Sequence, residues 1–292
     1  MRIAIYSRLL RNECLPSVVK LVSLFQHKGA EVILHVTLFN QIKKLLKKNL
    51  TCKVYDQNLA QEPIELMISI GGDGTLLDTI TLLKNREIPV LGINTGRLGF
   101  LANAPFENFE TIASNIMLQR FLLEKRTLIE FKSNVDLFGT DIWALNDFVI
   151  HKKESSSMIT INTFLNGEFL NTYWADGLIV STPTGSTGYS LSCGGPIIFP
   201  HSANLVITPI APHNLNVRPI VVSDDDVISF EVEGRVNSFL ASLDSRSVPF
   251  ESHIEMAVKR AGHNFILVRF NEDNFLNTLR DKLSWGNDSR NS

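Results

Sequence analysis

The residues able to do chemistry are concentrated in a few glycine-rich stretches. The first is ISIGGDGTLLDTI, residues 68–80. An apolar run ends at Gly71 and Gly72, one carboxylate follows at Asp73, and Gly74 and Thr75 lead into an apolar pattern of helical period. A strand, a glycine turn and a helix start make a phosphate-binding device. Backbone amides approach an anion closely where no Cβ intervenes, and the helix N-terminus adds positive potential. Gly71, Gly72, Gly74 and Thr75 are therefore read as a phosphate-facing turn. A carboxylate repels phosphate, so Asp73 makes sense there if it serves a hydroxyl proton or a divalent cation beside that phosphate. A helix-capping Asp is the plainer alternative, but one cap does not require three glycines around it. Neither G-x-x-x-x-G-K-[ST] nor G-x-G-x-x-G occurs, which disfavours a P-loop and the ordinary dinucleotide fingerprint.

A second cluster, GINTGRLGFLA, places Gly92, Gly96 and Gly99 just past an apolar run. That is the carboxyl edge at which open α/β sheets bind ligands. Arg97 in this stretch could meet a phosphate or simply face water. The third cluster is WADGLIVSTPTGSTGYSLSCGGP, residues 174–196. Its hydroxyls and amides suit ribose and phosphate oxygens, and Tyr189 offers a face for stacking. A Ser/Thr/Gly-rich loop without a ligand fits the composition equally well. No G-x-S-x-G nucleophile elbow is present.

The elements that must position these clusters fall into two textures. IAIYS, AEVILH, IELMISI and IPVLGIN read as strands. Between them lie a helix opened by Pro16 and closed by Gly29, a basic amphipathic helix in FNQIKKLLKK, and a helix from Asp73 to about Lys84. Strands alternating with helices imply right-handed βαβ units and a parallel sheet. After about residue 120, segments such as KRTLIEFKS, IWALNDFVIHK and VISFEVEG alternate in period two, and Asn166-Gly167 in FLNGEF is a hairpin signal. That half is read as all-β. NFLNTLRDKLSWG returns to helical spacing and is expected to pack back on the first domain.

Composition bounds the rest. The 292 residues are 44% apolar and 20% charged, a globular balance, with a net charge of −2 that gives no electrostatic footprint for nucleic acid. No apolar run reaches the ~18 residues of a membrane-spanning candidate. MRIAIYSRLL reads as a strand and not as a signal peptide. Cys14, Cys52 and Cys193 have no C-x-x-C spacing, so free thiols in a reducing compartment are expected and the protein is placed in the cytoplasm. His151 and His213 lack ligand-like spacing and read as structural. The run 43–48, KKLLKK, reads as a solvated helix face, and SDDDV (223–227) as a turn whose carboxylates face water.

These motifs together resemble the NAD kinases, enzymes that phosphorylate NAD to NADP. The resemblance runs through GGDGT (71–75), GINTGRLGFL (92–101), LNDFVIH (145–151), DGLIVSTPTGSTGYSLSCGGP (176–196), PIAPHNLNVRPIV (209–221), SLDSR (242–246) and the closing KLSWG (282–286). GGDGT alone is shared with lipid kinases and phosphofructokinases, whereas the stretch from Asp176 is far more specific. The resemblance implies an α/β domain over 1–118, a β-sandwich NAD-binding domain over 119–268 and a segment 269–292 returning to the α/β domain. It implies ATP as phosphoryl donor, a divalent cation such as Mg²⁺, a homodimer or homotetramer, and neither nucleic-acid nor membrane partners.

By the same resemblance Asp73 is the catalytic acidic residue, with Gly74 in the turn that faces the NAD diphosphate. Asn146 and Asp147 stand where the family carries an Asn-Glu pair that holds ribose hydroxyls. Asp176 opens the loop that meets the nicotinamide or adenine end. Thr187, Gly188, Tyr189, Ser190, Leu191 and Ser192 line the adenosine pocket, flanked by Trp174 and Arg246. Three positions depart from the family pattern: Asp147 for the usual Glu, Gly188 for Ala, and Ser245 where Gly is common. None removes a chemically required group. A lipid kinase fits the stretch from Asp176 poorly, and an idle dinucleotide-binding sensor would not need Asp73 in an intact glycine turn.

Overall fold

Near-continuous apolar runs build the strands of the first half, as parallel strands buried on both faces require. The computed structural model describes residues 1–46, 51–56, 59, 62–96, 99–153, 158–235, 238–270 and 274–284. Two compact units appear: Met1–Lys125 together with Phe265–Ser292, and Arg126–Asn264. In the first unit the order is β1 (Arg2–Tyr6), α1 (Leu15–His27), β2 (Glu31–His35), α2 (Val36–Leu46), β3 (Lys53–Tyr55), β4 (Leu66–Gly71), α3 (Asp73–Leu83), β5 (Val90–Asn94), β6 (Ala104–Pro105) and α4 (Phe109–Met117). The sheet runs β5-β4-β1-β2-β3, every pair parallel. Its core sets Ile3, Ile5, Val32, Leu34, Ile68 and Ile70 against Leu15, Val18, Val22 and Phe25 of α1.

Helix α2 begins at Val36, directly after β2 and three residues before the stretch that announces it in the sequence. Val36 and Thr37 look like a continuing strand, yet Leu38 and Ile42, one helical turn apart, are both fully buried. Burial of that face overrides the β propensity of the two β-branched residues. Lys47 and Lys48 lie outside the described residues.

The second unit begins within β7 (Leu122–Ser133) and continues with β8 (Trp143–Ala144), β9 (Asp147–Lys152), β10 (Ile159–Leu165), β11 (Glu168–Ala175), β12 (Gly177–Ser181), the short α5 (Tyr189–Ser192), β13 (Asn204–Ile210), β14 (Ile220–Ser223), β15 (Ile228–Gly234), β16 (Phe239–Leu243), β17 (Arg246–Phe250) and β18 (Met256–Arg269). Two antiparallel sheets result, one ordered β11-β10-β15-β18 and the other β14-β13-β12-β9-β16-β17. Ile161, Tyr173, Phe230 and Val232 of the first pack with Phe148, Ile150, Leu178 and Phe239 of the second, which makes a sandwich.

The end of β18 rejoins the first unit, where Leu267 pairs in parallel with Val90 and Val268 enters the core. Helix α6 (Phe275–Leu283) follows, capped by the Asn274 side chain, which accepts from the Leu276 amide. Trp285 and Gly286 of KLSWG, and the last residues of the chain, lie outside the described residues.

The Asn166-Gly167 turn has φ of 53° and 83°, the two left-handed residues of a type I′ hairpin. The Asn166 side chain also bonds Asp226 and the Val227 amide, tying the hairpin to the next turn. Gly167→Val would force a branched side chain into that conformation. We expect a loss of about 1–2 kcal/mol, read as a lower urea midpoint with an unchanged slope. An unchanged midpoint would mean that the turn relaxes to another type.

Candidate active site

The glycine turn sits where β4 hands over to α3. A Cβ on Gly71 would fall 2.4 Å from the Thr75 hydroxyl, so only glycine lets Thr75 fold over this backbone. Gly72 is extended and precedes the helix, and Asp73 is the first helical residue instead of its cap. Space beside Gly72 and Gly74 is open. The Thr75 and Leu76 amides both donate to the Gly72 carbonyl, at 3.0 and 3.2 Å, while the Asp73 and Gly74 amides before them have no acceptor within the helix.

Asp73 is not idle in this turn. Its Oδ2 accepts the Phe100 amide at 2.8 Å, and its Oδ1 accepts the Leu101 and Ala102 amides at 3.1 and 2.9 Å. The second glycine cluster is thus folded onto the first. A Cβ on Gly99 would lie 1.9 Å from Asp73 Oδ1, so that glycine is needed for the approach. Asn94, at the end of β5, closes the same loop: its Nδ2 donates to the Ala102 carbonyl at 2.9 Å and its Oδ1 accepts the Gly96 amide at 2.7 Å. A carboxylate offers about four acceptor sites, so three amides leave room for one more donor or a cation. Arg97 lies outside the described residues.

In the sandwich, Asn146 fills the break between β8 and β9, and a second carboxylate fixes it. Asp244 accepts the amides of Leu145 at 2.9 Å, Asn146 at 2.7 Å and Asp147 at 3.2 Å. Asp244 is left-handed, φ 52°, in the two-residue turn between β16 and β17, and its own amide donates to the Asp147 carbonyl at 3.0 Å. The Asn146 carbonyl accepts the Thr182 amide at 2.9 Å. It also lies 2.0 Å from where a Gly185 Cβ would stand, so backbone meets backbone at that glycine. Neither Asp244 nor Gly185 stands out in the sequence as a site residue, although both lie inside recognisable motifs.

Burial, and then the neighbouring Asp244 charge, push the Asp147 carboxyl up to about 8. Burial also pushes Asp244 up, opposed by the Leu145, Asn146 and Asp147 amides and by Arg246. Arg246 is committed to this scaffold: its guanidinium donates to the carbonyls of Asp141 and Trp143.

Most hydroxyls of the Thr184–Ser192 loop have partners in the loop or in the elements beside it. Ser186 donates to the Pro183 carbonyl and accepts the Ile198 amide. Thr187 donates to the Thr184 carbonyl, Thr184 accepts Arg126, and the buried Ser190 pairs with Thr208 at 2.8 Å. Each of these hydroxyls thus has a protein partner of its own, Ser186 and Thr187 by the short-range bonding common to Ser and Thr and Thr184 and Ser190 through neighbouring strands. Gly188 leaves a tight space, with a Cβ 3.2 Å from the Gly185 carbonyl and 4.0 Å from Asn146 Nδ2. Tyr189 is exposed, as a stacking face must be, and Ser192 is exposed while Leu191 is half-buried. Tyr189 senses Asp147 and Asp176 as well as Cys193, since all three raise its phenol after burial does.

Asp176 pairs with Lys152 at 2.6 Å, a partner not evident from the sequence. Trp174 is half-exposed on β11, and its carbonyl accepts the exposed His213 amide. Cys14, Cys52 and Cys193 are free thiols. Within SDDDV the expectation fails at Asp224, which is 3% exposed and paired with Arg260 at 3.1 Å; Asp226 instead caps the Ser223 amide. Among the described residues no three His, Cys, Asp or Glu side chains come together as a metal cluster, and no helix is long and apolar enough to cross a membrane.

The Asp147 shift has a testable sign. Its neutral form is favoured in the fold, so its contribution to stability is complete below the ordinary carboxylate range near 4 and is lost as pH rises through about 8. The melting temperature of the parent is expected to fall between about pH 5 and 8 relative to Asp147→Asn, whose amide does not titrate. Parallel curves would show that Asp147 ionises like an exposed carboxylate.

Comparison with known proteins matches both units. Residues 16–121 match the ATP-NAD kinase N-terminal domain, and residues 145–270 match the ATP-NAD kinase C-terminal domain. The NAD kinase of Cytophaga hutchinsonii is 46% identical and that of Flavobacterium psychrophilum 42%, each over the whole of both chains. Among solved structures, an Archaeoglobus fulgidus NAD kinase in complex with ATP is 26% identical, with a TM-score of 0.77, covering 98% of this chain and 100% of that one. Yeast NADH kinase complexed with NADH shares the fold, with a TM-score of 0.86 at 22% identity over 99% of this chain and 89% of that one. With a relative 46% identical from end to end and both family domains in order, this chain belongs to the NAD kinase family.

Proposed function

We infer that the chain is an ATP-dependent NAD kinase, transferring the terminal phosphoryl group of ATP to the 2′-hydroxyl of the adenosine ribose of NAD. The observation that carries this reading is the end-to-end match to NAD kinases together with a glycine turn whose single carboxylate keeps acceptor capacity. A ribose hydroxyl is a poor nucleophile near neutral pH. Asp73 accepts its hydrogen bond, orients it and takes its proton as the bond to phosphorus forms. Amides of the Gly71–Thr75 turn face phosphate oxygens. Transfer of this kind depends on positioning and charge neutralisation more than on covalent help.

Asn146 and Asp147 hold the ribose hydroxyls, and Tyr189 covers the adenine face. Thr187, Gly188, Leu191 and Ser192 border it, with Ser190 placing the loop from below. Asp176 meets an amide or amino end of NAD, and Trp174 and Arg246 flank the site, Arg246 through the backbone it holds. A divalent cation such as Mg²⁺ would be carried by the ATP phosphates, and Asp73, which keeps acceptor capacity, would stand beside it. When bound it neutralises charge on the transferred group. The protein acts in the cytoplasm as a homodimer or homotetramer, which light scattering would size.

Purified protein with NAD, ATP and Mg²⁺ is expected to form NADP. NAD binding without product would favour an idle sensor, and phosphorylation of a lipid alcohol in place of NAD would favour a lipid kinase. Asp73→Asn is expected to lose about 10²–10⁴-fold in turnover while still binding NAD. Its melting temperature should also drop, because an amide nitrogen in place of one oxygen cannot accept the backbone amides that oxygen holds. Near-full turnover would remove Asp73 from the chemistry. Asn146→Ala is expected to raise the Michaelis constant for NAD roughly tenfold, and that for ATP much less. Equal effects on both substrates would count against the ribose clamp.

A further inference from the structure

The loop that leaves β1 carries two arginines, Arg8 and Arg11, for which the transfer just described has no use. Their placement follows from register. Tyr6, the last residue of β1, lies opposite Ser69 of β4, so the loop carrying Arg8 and Arg11 leaves the sheet at the same edge as the glycine turn. The Arg8 guanidinium grips both oxygens of Asp78 on α3, and the Tyr6 hydroxyl donates to the same carboxylate at 3.0 Å. Asp78 is five residues beyond Asp73, or about 7.5 Å along the helix axis. The Arg8 head is therefore pinned to the helix whose N-terminus forms the turn, while its side chain remains 50% exposed.

Arg11 is pinned on the other side. Its guanidinium donates to the Thr95 carbonyl at 2.5 Å, one residue beyond Asn94, and Asn94 is the strand partner of Gly71. The loop between the two arginines is fixed as well, since Gln41 of α2 accepts the Leu10 amide at 3.2 Å and donates to the Leu10 carbonyl at 2.6 Å. Two cations thus bracket the carboxyl ends of β1, β4 and β5, the edge at which parallel sheets take ligands. Acidic neighbours are present too: Asp78 pairs with Arg8, and the exposed Glu13 pairs with Arg11 at 2.9 Å, a contact of little energetic weight.

We propose that Arg8 and Arg11 bind the polyphosphate of the donor nucleotide, bracketing the chain of phosphates whose terminal group lies on the glycine turn. The inference rests on the ATP-dependent reading. A triphosphate carries several negative charges, and a helix N-terminus offers only about half a positive charge. Guanidinium forks supply charge and directed donors together. The Asp78 pair fixes the plane of the Arg8 fork at this edge. Tyr6, whose phenol burial and Asp78 push up to about 12, keeps its proton and so keeps Asp78 in place.

The test measures steady-state rates over a grid of ATP and NAD concentrations for the parent, Arg8→Gln, Arg8→Lys, Arg11→Gln and the double Gln variant. Inorganic tripolyphosphate serves as an inhibitor competing with ATP. Each Gln variant is expected to raise the Michaelis constant for ATP about tenfold or more, with the double variant worse and Arg8→Lys intermediate. The inhibition constant of tripolyphosphate should rise in step, while the Michaelis constant for NAD stays within about twofold of the parent. Arg11 is largely exposed, so its variant keeps the test alive if loss of Arg8 unfolds the loop. Unchanged tripolyphosphate inhibition in the folded variants, or a rise in the NAD constant equal to that for ATP, would overturn the proposal and leave the arginines as loop anchors. Failure of the parent itself to phosphorylate NAD would instead overturn the function on which the proposal stands.

Discussion

A single carboxylate, Asp244, gathers the amides of Leu145, Asn146 and Asp147, and the backbone between β8 and β9 depends on that convergence. Asn146 lies in a break between two strands, where no sheet partner supports its amide. Left alone, a buried break of this kind would carry unsatisfied donors, each costing on the order of 1–3 kcal/mol. Asp244 removes the penalty and in doing so fixes where the Asn146 and Asp147 side chains point. The Thr182 amide and the close passage of Gly185 then lock the Asn146 carbonyl. The arrangement has its own cost: burial, and then the neighbouring Asp244 carboxyl, keep the Asp147 proton on to unusually high pH.

The α/β unit uses the same device for a different end. Asp73 gathers the amides of Phe100, Leu101 and Ala102 and thereby brings a second glycine loop onto the first. Here the carboxylate is an anchor with acceptor capacity to spare. Its position is set by the backbone around it, and a group so fixed is preorganised for whatever it meets. A glycine stands at the closest approach in each cradle, Gly99 beside Asp73 and Gly185 beside Asn146, because any Cβ there would collide with polar atoms.

Much of this was legible in the sequence. Alternating apolar strands and amphipathic helices fixed the α/β half, period-two runs fixed the sandwich, and Asn166-Gly167 marked a hairpin of the expected type. The glycine clusters marked where the backbone turns sharply. What stayed hidden were pairings across long separations: Asp73 to residues 27–29 positions away, and Asp244 to residues 97–99 positions away. Local pattern carries no information on which amide finds which carboxylate. The Ser/Thr-rich loop is hard to read for the opposite reason. Its hydroxyls bond carbonyls three residues back, as Ser186 and Thr187 do, and composition cannot separate that from hydroxyls waiting for a ligand. Helix α2 began early because buried Leu38 and Ile42 outweighed the strand-like look of Val36 and Thr37.

The return of β18 to the first unit bears on how the protein is made. Leu267 pairs with Val90, so the sheet edge at β5 waits for a strand that is synthesised 177 residues later. At ~5–20 residues per second on the ribosome, that interval is roughly 10–35 s. Ile93 and Asn94 soon pair with β6, but throughout the interval the Val90 end of this apolar strand lacks its final neighbour, a ready template for wrong pairing. The sandwich, contiguous from Arg126 to Asn264, suffers no such delay and can fold as it emerges. The α/β unit begins first and is completed last, which makes the edge of β5 the place where a chaperone would be most useful.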